Sequence, residues 1–312
     1  MARLSIIIPC YYNEANIPVT FSRLRQMEQS LPQGTVVEYV FIDDGSGDDT
    51  YNIIKQLHNE HPQTVIAIKL AGNVGSYNAI LAGMKYATGD CCTVISADLQ
   101  DPPELIPQMF DHWQNGIKLV MANRQRREEG FFKRNLAQLF HGLIRRLALK
   151  NIPSGGFDFV LFDRRLNDEV VQMAEKNTNT LYLLPWLGYP YVTIPYVRQS
   201  REIGKSRWTL TKKIKLFIDS FIAFSFFPIR LITVSGLVMG FAAILYALYV
   251  VYARLSGRIE VEGWSTIMLV ILLVSSFQMV ALGILGEYLW RTLDAVRKRP
   301  PYVVDEVLQH NK

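Results

Sequence analysis

Short apolar runs alternate with helix-like stretches through the first part of the chain. Continuous apolar runs closed by polar or turn residues are typical of strands that are buried on both faces of a parallel sheet. Five such runs are present, at Leu4 to Pro9, Val36 to Ile42, Thr64 to Leu70, Cys91 to Ala97 and Ile117 to Ala122. Their alternation with helices over short links favours right-handed βαβ units. The pattern therefore predicts an α/β fold with a Rossmann-like, mostly parallel sheet.

Two much longer apolar runs follow, at Ile229 to Tyr252 and Thr266 to Trp290. Each is long enough to cross a hydrocarbon core of about 30 Å at about 1.5 Å per residue. The second run carries no charged residue before Glu287. We predict two transmembrane helices over 229–252 and 266–290; the alternative is a pair of helices buried in a protein core.

The formal net charge of +5 is accompanied by basic residues clustered beside these two runs. Those residues are Lys212, Lys213, Lys215 and Arg230 before the first run and Arg291, Arg297, Lys298 and Arg299 after the second. Basic flanks mark the cytoplasmic side of a membrane segment. We therefore predict a multi-pass protein of the inner or plasma membrane, with the N-terminal part and both termini in the cytoplasm. Basic residues in this arrangement do not favour nucleic acid as a partner.

Two stretches between the predicted sheet and the predicted spans combine apolar and basic residues. The first, Phe131 to Lys150, has the pattern of an amphipathic basic helix, which suits an anionic membrane surface; an ordinary surface helix is the alternative. The second, Trp208 to Phe227, is rich in Lys and Phe and leads into the first span. These changes in character predict three regions, 1–130, 131–227 and 228–312.

Acidic and amide side chains follow two of the predicted strands. Asp98 and Gln100 come after the fourth strand and before a proline pair, and Asp43 and Asp44 close the second strand. Ligands of open α/β sheets bind at these carboxyl ends. If the segment is extended, Asp98 and Gln100 point the same way and offer hard oxygen ligands to Mg²⁺ or Mn²⁺, which would also hold a phosphate. The alternative is a plain surface turn.

Two further groups are candidates for a site. Asp158 follows the glycine pair Gly155-Gly156, and glycine lets a backbone approach a ligand closely; a turn that only needs glycine is the alternative. A basic cluster contains Arg198, Arg201, Lys205 and Arg207. It could bind a lipid phosphate or simply membrane headgroups, and the sequence leaves both open.

Several motifs in this order resemble the family 2 glycosyltransferases of GT-A fold that transfer sugars to polyprenyl phosphate. This group includes dolichyl-phosphate mannose synthase and the bacterial GtrB and ArnC types, and the similarity is closest to the GtrB type. The motifs cover nearly the whole chain: Ser5 to Glu14, Asp43 to Ser46, Ala97 to Glu104, Gly156 to Phe159, Arg201 to Arg207 and the two terminal spans.

The resemblance implies roles for individual residues. The implied donor-binding residues are Pro9, Tyr11, Glu14, Asp43, Asp44 and Asp98, with Asp98 and Gln100 holding Mg²⁺ or Mn²⁺ on the diphosphate. The implied acceptor-phosphate residues are Arg124, Arg134, Arg201 and Ser206. The basic cluster adds Arg198 and Arg207 to them. Asp158 matches the position of an acid near the reacting centre, as a base or a positioning group. Ser96 and Ser76 depart from the family pattern, where an acid and a lysine are common.

The resemblance further implies the reaction. We expect inverting transfer of a sugar, with glucose from UDP-glucose as the best match, to undecaprenyl or another polyprenyl phosphate at the cytoplasmic face, for cell-envelope glycan modification. The alternatives are a GDP-mannose or UDP-amino-pentose donor, a non-catalytic membrane-tethered nucleotide-sugar-binding protein, and a subunit that flips lipid-linked sugars. Small residues in the spans could also support a homo-oligomer.

Overall fold

The chain divides into two compact units, Met1–Ala223 with Pro300–Lys312, and Phe224–Arg299. The computed structural model describes residues 1–125, 153, 157–173, 175–198, 219, 222–256 and 263–309. The first unit contains a mixed sheet of eight strands with helices packed on it, and the second contains two long helices. The boundaries at 130 and 227 stay predictions.

The sheet has the order β7-β5-β6-β4-β1-β2-β3-β8. Its strands are β1 (Arg3–Cys10), β2 (Val36–Asp43), β3 (Val65–Leu70), β4 (Cys91–Val94), β5 (Leu119–Gln125), β6 (Val160–Asp163), β7 (Tyr191–Val197) and β8 (Val304–Leu308). The helices are α1 (Ile17–Glu28), α2 (Thr50–Glu60), α3 (Ser76–Tyr86), α4 (Ile106–Gln114), α5 (Arg164–Met173), α6 (Thr180–Trp186), α7 (Phe227–Leu255) and α8 (Trp264–Arg297). The five predicted strands all form.

The predicted α/β fold with a mostly parallel sheet is confirmed. Strands β1, β2, β3 and β4 pair in parallel, as do β5 and β7. The reversed strand β6 lies between β4 and β5, and reversed β8 lies outside β3. The apolar residues Val160, Leu161 and Phe162 explain why β6 takes an interior position, because all three are fully buried and a central strand is covered on both faces.

The core lies where helices pack against the central strands. Tyr39 and Phe41 of β2 are fully buried together with Ile6 and Ile8 of β1. On the other face, α3 approaches the sheet at Gly83, where an added Cβ would lie 2.6 Å from Ile42 Cδ1. Glycine at this position therefore sets how closely the helix can pack on β1 and β2.

Helices α7 and α8 have 29 and 34 residues. Both are long and apolar enough to cross a membrane by length and composition, and their large apolar side chains, such as Leu237, Phe241 and Leu272, are more than half exposed. They contain the two runs from which the sequence predicts spans. The direction in which they would cross a membrane stays a prediction.

The chain returns to the sheet after α8. Strand β8 pairs antiparallel with β3, and the Ala71 amide donates to the Val303 carbonyl at 2.9 Å. Two ion pairs of 2.9 Å, Lys55–Glu306 and Lys69–Asp305, accompany this pairing. The residues up to Ala223 and those from Pro300 onward both belong to the sheet-containing unit. If both helices cross a bilayer, these two segments are on the same side of it.

Replacing Gly83 by valine should destabilise the first unit. The added side chain would overlap Ile7 and Ile42, and overpacking of a core costs about 1–3 kcal/mol. We expect a melting temperature lower by about 2–12 °C in detergent, at about 2–4 °C per kcal/mol. The matched control is Gly236→Val on α7, because nothing lies within 4 Å of an added Cβ at that helical glycine. Equal melting temperatures for both variants would contradict this account of the packing.

Candidate active site

Most of the predicted site residues that the structure describes lie at one edge of the sheet. Pro9 and Asp43 are at the ends of β1 and β2, Asp98 follows β4, and Arg124 is near the end of β5. Asp158 precedes β6, which runs in the opposite direction, so its start lies at the same edge. Parallel strands thus collect these polar groups where open α/β sheets bind ligands.

The loop after β1 is tied to the start of α2. The amide of Tyr11 donates to Asn13 Oδ1 at 2.8 Å, and the Asn13 amide donates to Thr50 Oγ1 at 2.8 Å. The exposed carboxylate of Glu14 accepts from the Asp49 amide at 3.0 Å. Glu14 therefore helps to fix the loop, and the donor contacts of Tyr11 and Glu14 stay predictions.

Tyr12, in the same loop, has a left-handed backbone with φ of 56°. This conformation is uncommon for bulky residues and often occurs at functional sites. The Tyr12 amide donates to Ser46 Oγ at 2.9 Å. An added Cβ at Gly47 would lie 2.8 Å from the Tyr12 hydroxyl oxygen. The two loops after β1 and β2 are therefore fitted to each other at this edge.

Asp43 and Asp44 have different surroundings. Asp43 is fully buried and accepts from the Ser46 amide at 3.2 Å. Burial raises the pKa of the Asp43 carboxyl above its ordinary value, and the bonds from Ser46 only partly offset this. A buried carboxylate at a ligand-binding edge is a common sign of function rather than of stability. Direct contact with a nucleotide stays a prediction for Asp43.

Asp44 holds the loop before α3. Its carboxylate accepts from Asn73 Nδ2 at 3.0 Å and from the amides of Val74 and Gly75 at 2.7 and 3.0 Å. The same loop packs on Gly45, which has a φ of 68° and whose added Cβ would lie 2.6 Å from the Gly72 carbonyl carbon. Asp44 therefore organises its neighbouring loop. Its predicted contact with the donor remains untested.

The expectation that Asp98 and Gln100 lie on an extended segment is wrong. Strand β4 ends at Val94, and Leu99 has a left-handed φ of 54°. Leu99 is only 5% exposed, whereas Asp98 and Gln100 are partly exposed. A left-handed residue cannot be part of an extended segment, so the chain turns between these two polar side chains. The backbone N–H of Gln100 closes the turn by donating to Asp98 Oδ1 at 3.2 Å.

The fit of this turn to a metal ion can be judged from its oxygen atoms. Among the described residues, no group of three or more His, Cys, Asp or Glu side chains is arranged to hold a metal. Asp98 and Gln100 supply one carboxylate and one amide oxygen. Mg²⁺ is often bound by one or two carboxylates together with substrate phosphates and water. The donor set therefore fits a divalent ion held jointly with a diphosphate.

A hydrogen-bonded chain links the turn to β5, β6 and β7. Asp101, 2% exposed, accepts from Ser96 Oγ at 3.0 Å and from the Tyr196 hydroxyl at 2.6 Å. The Tyr196 hydroxyl accepts in turn from Arg124 Nε at 3.2 Å, and a terminal nitrogen of Arg124 donates to Asp158. The sequence hypotheses named Arg124 and Asp158 but missed Asp101 and Tyr196.

Charge and burial act together on this chain of groups. Burial opposes the charged form of Arg124, but Asp158, Tyr196 and Asp101 together outweigh it and raise the pKa of the guanidinium. Burial also raises the pKa of the Tyr196 and Tyr182 hydroxyls, with Asp101 adding to the effect on Tyr196 and Asp158 to that on Tyr182. These tyrosines are therefore hydrogen-bond donors throughout the neutral range.

The predicted phosphate-binding residues are only partly described. Arg198 lies near the network, with its Nε 3.8 Å from Asp101 Oδ1. Arg134, Arg201, Ser206 and Arg207 lie outside the described residues, as do Gly155, Gly156 and the predicted helix over 131–150. The roles predicted for them stay predictions.

The chain is similar in sequence to known glycosyltransferases. Residues 5–171 match the family model described as glycosyl transferase family 2. The uncharacterized glycosyltransferase YkcC of Bacillus subtilis (strain 168) is 36% identical over 97% of this chain and 93% of its own length. The prophage bactoprenol glucosyl transferase homolog of Escherichia coli (strain K12) is 33% identical over 98% of this chain and 99% of its own.

Two further similarities extend the comparison. The undecaprenyl-phosphate 4-deoxy-4-formamido-L-arabinose transferase of Proteus mirabilis (strain HI4320) is 30% identical over 98% of this chain and 94% of its own length. Among solved structures, glucosyl-3-phosphoglycerate synthase of Mycobacterium tuberculosis, in complex with Mn²⁺, UDP and phosphoglyceric acid, has a TM-score of 0.46 at 15% identity. It covers 70% of this chain and 75% of its own.

The Asp43→Asn variant should be more stable than the parent chain at neutral pH. Because burial raises the pKa of Asp43 in the folded state, ionisation of this carboxyl opposes folding above that raised pKa. The penalty disappears as pH falls below the unfolded-state pKa of about 3.9. We expect a higher melting temperature for the variant at pH 7 and a difference that shrinks towards pH 4. A variant that is less stable than the parent at pH 7 would contradict this.

Proposed function

The chain belongs to glycosyltransferase family 2, and we propose that it transfers a sugar from a nucleotide-sugar to a polyprenyl phosphate at the membrane. The more specific form of the proposal is transfer of glucose from UDP-glucose to undecaprenyl phosphate at the cytoplasmic face, with inversion at the anomeric carbon. The product would be a lipid-linked sugar for modification of a cell-envelope glycan.

The observation that carries the proposal is the pairing of Arg124 with Asp158 at the carboxyl edge of the sheet. An arginine fork can make two hydrogen bonds to phosphate oxygens, and the Arg124 side chain is 26% exposed, so it is only partly covered by protein. The same chain has two helices of membrane-spanning length. A phosphate-bearing lipid is the ligand class that uses both features.

The names of the relatives support this acceptor class. One relative is named for bactoprenol and another for undecaprenyl phosphate, and both are similar over nearly the whole chain. Their names differ in the sugar, glucose for the first and a formamido-arabinose for the second. The name of the first relative supports glucose as the sugar in the more specific form of the proposal.

The donor would occupy the side of the edge formed by the loops after β1, β2 and β4. Pro9, Tyr11, Glu14 and Asp43 would line the base and ribose, with Asp44 keeping the 73–75 loop in place. Asp98 and Gln100 would hold Mg²⁺ or Mn²⁺ against the diphosphate. That ion would supply positive charge to the leaving diphosphate as its negative charge develops.

The chain's own residues would then orient the acceptor. A phosphate monoester is largely ionised at neutral pH, so it needs positioning more than deprotonation. Arg124, and by prediction the basic cluster, would hold the phosphate so that one of its oxygens attacks the anomeric carbon. The bond between this phosphate oxygen and the anomeric carbon forms as the bond from the anomeric carbon to the diphosphate oxygen breaks. Asp158 would either orient the acceptor or act as the base that takes the proton from a singly protonated phosphate.

A membrane hairpin would keep the sheet-containing unit at the membrane surface. Both segments that flank α7 and α8 belong to the sheet-containing unit, which supports one crossing in each direction. Basic residues at both flanks support a cytoplasmic position for that unit. The enzyme would thus meet the lipid head at the surface while the polyprenyl tail stays in the bilayer.

The proposed function is tested by transfer assays with purified full-length protein in detergent. A panel of radiolabelled nucleotide-sugars is offered with undecaprenyl phosphate and with Mg²⁺, Mn²⁺ or a chelator, and label in the lipid phase is counted. We expect metal-dependent label from UDP-glucose. No label from any donor, in a folded protein that binds UDP, would favour a non-catalytic binding protein instead.

Variants of two carboxylates should separate donor binding from chemistry. Asp158→Asn should lower kcat by about 10²-fold or more, as expected for loss of a catalytic acid–base group, without weakening binding of UDP-glucose. Asp98→Asn should weaken metal-dependent donor binding, because its carboxylate oxygen is lost to the ion. Near-normal turnover of a folded Asp158→Asn variant would remove Asp158 from the mechanism.

The membrane topology predicts the behaviour of reporter fusions. Green fluorescent protein fused after Lys312 should fluoresce, because it folds in the cytoplasm, and alkaline phosphatase at the same position should be inactive. Alkaline phosphatase inserted within 257–262, between the two helices, should be active outside the cytoplasm. Activity of alkaline phosphatase at the C-terminus would reverse the proposed orientation.

A further inference from the structure

We propose that Ser96, Asp101 and Tyr196 form a positioning relay that fixes Arg124 for phosphate binding, and that Ser96 serves this relay rather than a metal ion. The inference deepens the proposed function and rests on it for the identity of the phosphate. None of the three relay residues is assigned a contact with the substrate. They act through Arg124.

The relay begins with the register of two strands. Arg124 of β5 and Tyr196 of β7 are direct partners in a parallel pairing, so their side chains leave the sheet on the same face. Arg124 Nε donates to the Tyr196 hydroxyl at 3.2 Å. One edge of the guanidinium is thus fixed by Tyr196, while a terminal nitrogen donates to Asp158.

The Tyr196 hydroxyl has two partners at once. It accepts from Arg124 and donates its only hydrogen to Asp101 Oδ1 at 2.6 Å. Tyr196 is 4% exposed and Asp101 is 2% exposed, so water cannot readily replace either bond. Removing the hydroxyl would break both bonds in a buried setting, where a lost partner is costly.

The second carboxylate oxygen of Asp101 explains why a serine suits position 96. Ser96 Oγ donates to Asp101 Oδ2 at 3.0 Å, while Arg198 Nε is 3.8 Å from Oδ1, beyond hydrogen-bond distance. A hydroxyl can donate here without adding charge. A carboxylate at position 96 would instead face Asp101 at close range, where two like charges disfavour each other's ionisation. The serine at this position therefore suits support of Asp101.

The relay makes a prediction about phosphate recognition that can be measured without turnover. The affinities of the full-length protein for undecaprenyl phosphate and for undecaprenol are measured in the same detergent micelles. Their ratio isolates the contribution of the phosphate. Tyr196→Phe should reduce this ratio about tenfold, in line with loss of a hydrogen bond to a charged group, while its ring contact with Phe159 can remain. Affinity for UDP should stay within about twofold.

A matched control separates positioning from general stability. Tyr39 is also fully buried, and its hydroxyl is 2.9 Å from Glu28 Oε2, away from the carboxyl edge. Tyr39→Phe should lower the melting temperature but leave the undecaprenyl phosphate ratio unchanged. If Tyr196→Phe fails to fold, Ser96→Ala tests the same relay with a smaller expected loss, about threefold. Ser96→Thr keeps the hydroxyl and should leave the ratio of affinities for undecaprenyl phosphate and undecaprenol at the parent value.

The outcomes distinguish the inference from the proposed function. A parent chain that prefers undecaprenyl phosphate, with a tenfold loss in Tyr196→Phe, supports the relay even if no donor gives transfer; in that case only the proposed function fails. Equal ratios in the parent, Tyr196→Phe and Ser96→Ala overturn the relay. Absence of any preference for the phosphate in the parent also overturns it. A ratio lowered equally by Tyr39→Phe would assign the effect to stability and reject positioning.

Discussion

The parallel pairing of buried apolar strands is the constraint on which the rest of the site depends. Strands β1, β2, β4 and β5 run the same way and are largely apolar and buried, so the polar groups that a ligand could reach lie at their ends. All of the carboxyl ends meet at one edge. Asp43, Asp98 and Arg124 are brought to the same edge by this geometry, although they come from segments far apart in the chain.

Loops at that edge are held by polar side chains that point inward. Asp44 binds the 73–75 loop, and Asp101 binds the 96–101 turn to β7. These buried carboxylates stabilise the fold only because donors surround them. Residues that could contact ligands, such as Asp98 and Arg124, are correspondingly more exposed. The site thus combines buried carboxylates that hold the loops in place with more exposed side chains that could contact a ligand.

The return of the chain to the sheet joins the helical pair to this scaffold. Strand β8 adds to the outer edge of β3, and the Val303 carbonyl accepts from Ala71 just before the loop that Asp44 holds. An antiparallel strand also covers hydrogen-bonding groups of β3 that would otherwise form an open edge. The segment that follows the membrane-length hairpin therefore belongs to the same unit that contains the candidate site.

Much of the architecture was determined by the sequence alone. Apolar runs identified the five strands and both long helices, and the motifs identified the family, which the matches to family 2 glycosyltransferases confirm. These features are local, because the hydrophobic pattern of consecutive residues indicates both a buried strand and a long apolar helix. The placement of Asp98 in a turn, the insertion of β6, the return of β8 and the Asp101–Tyr196 bond depended on the tertiary structure. Each results from contacts between distant segments, whose packing no local pattern records.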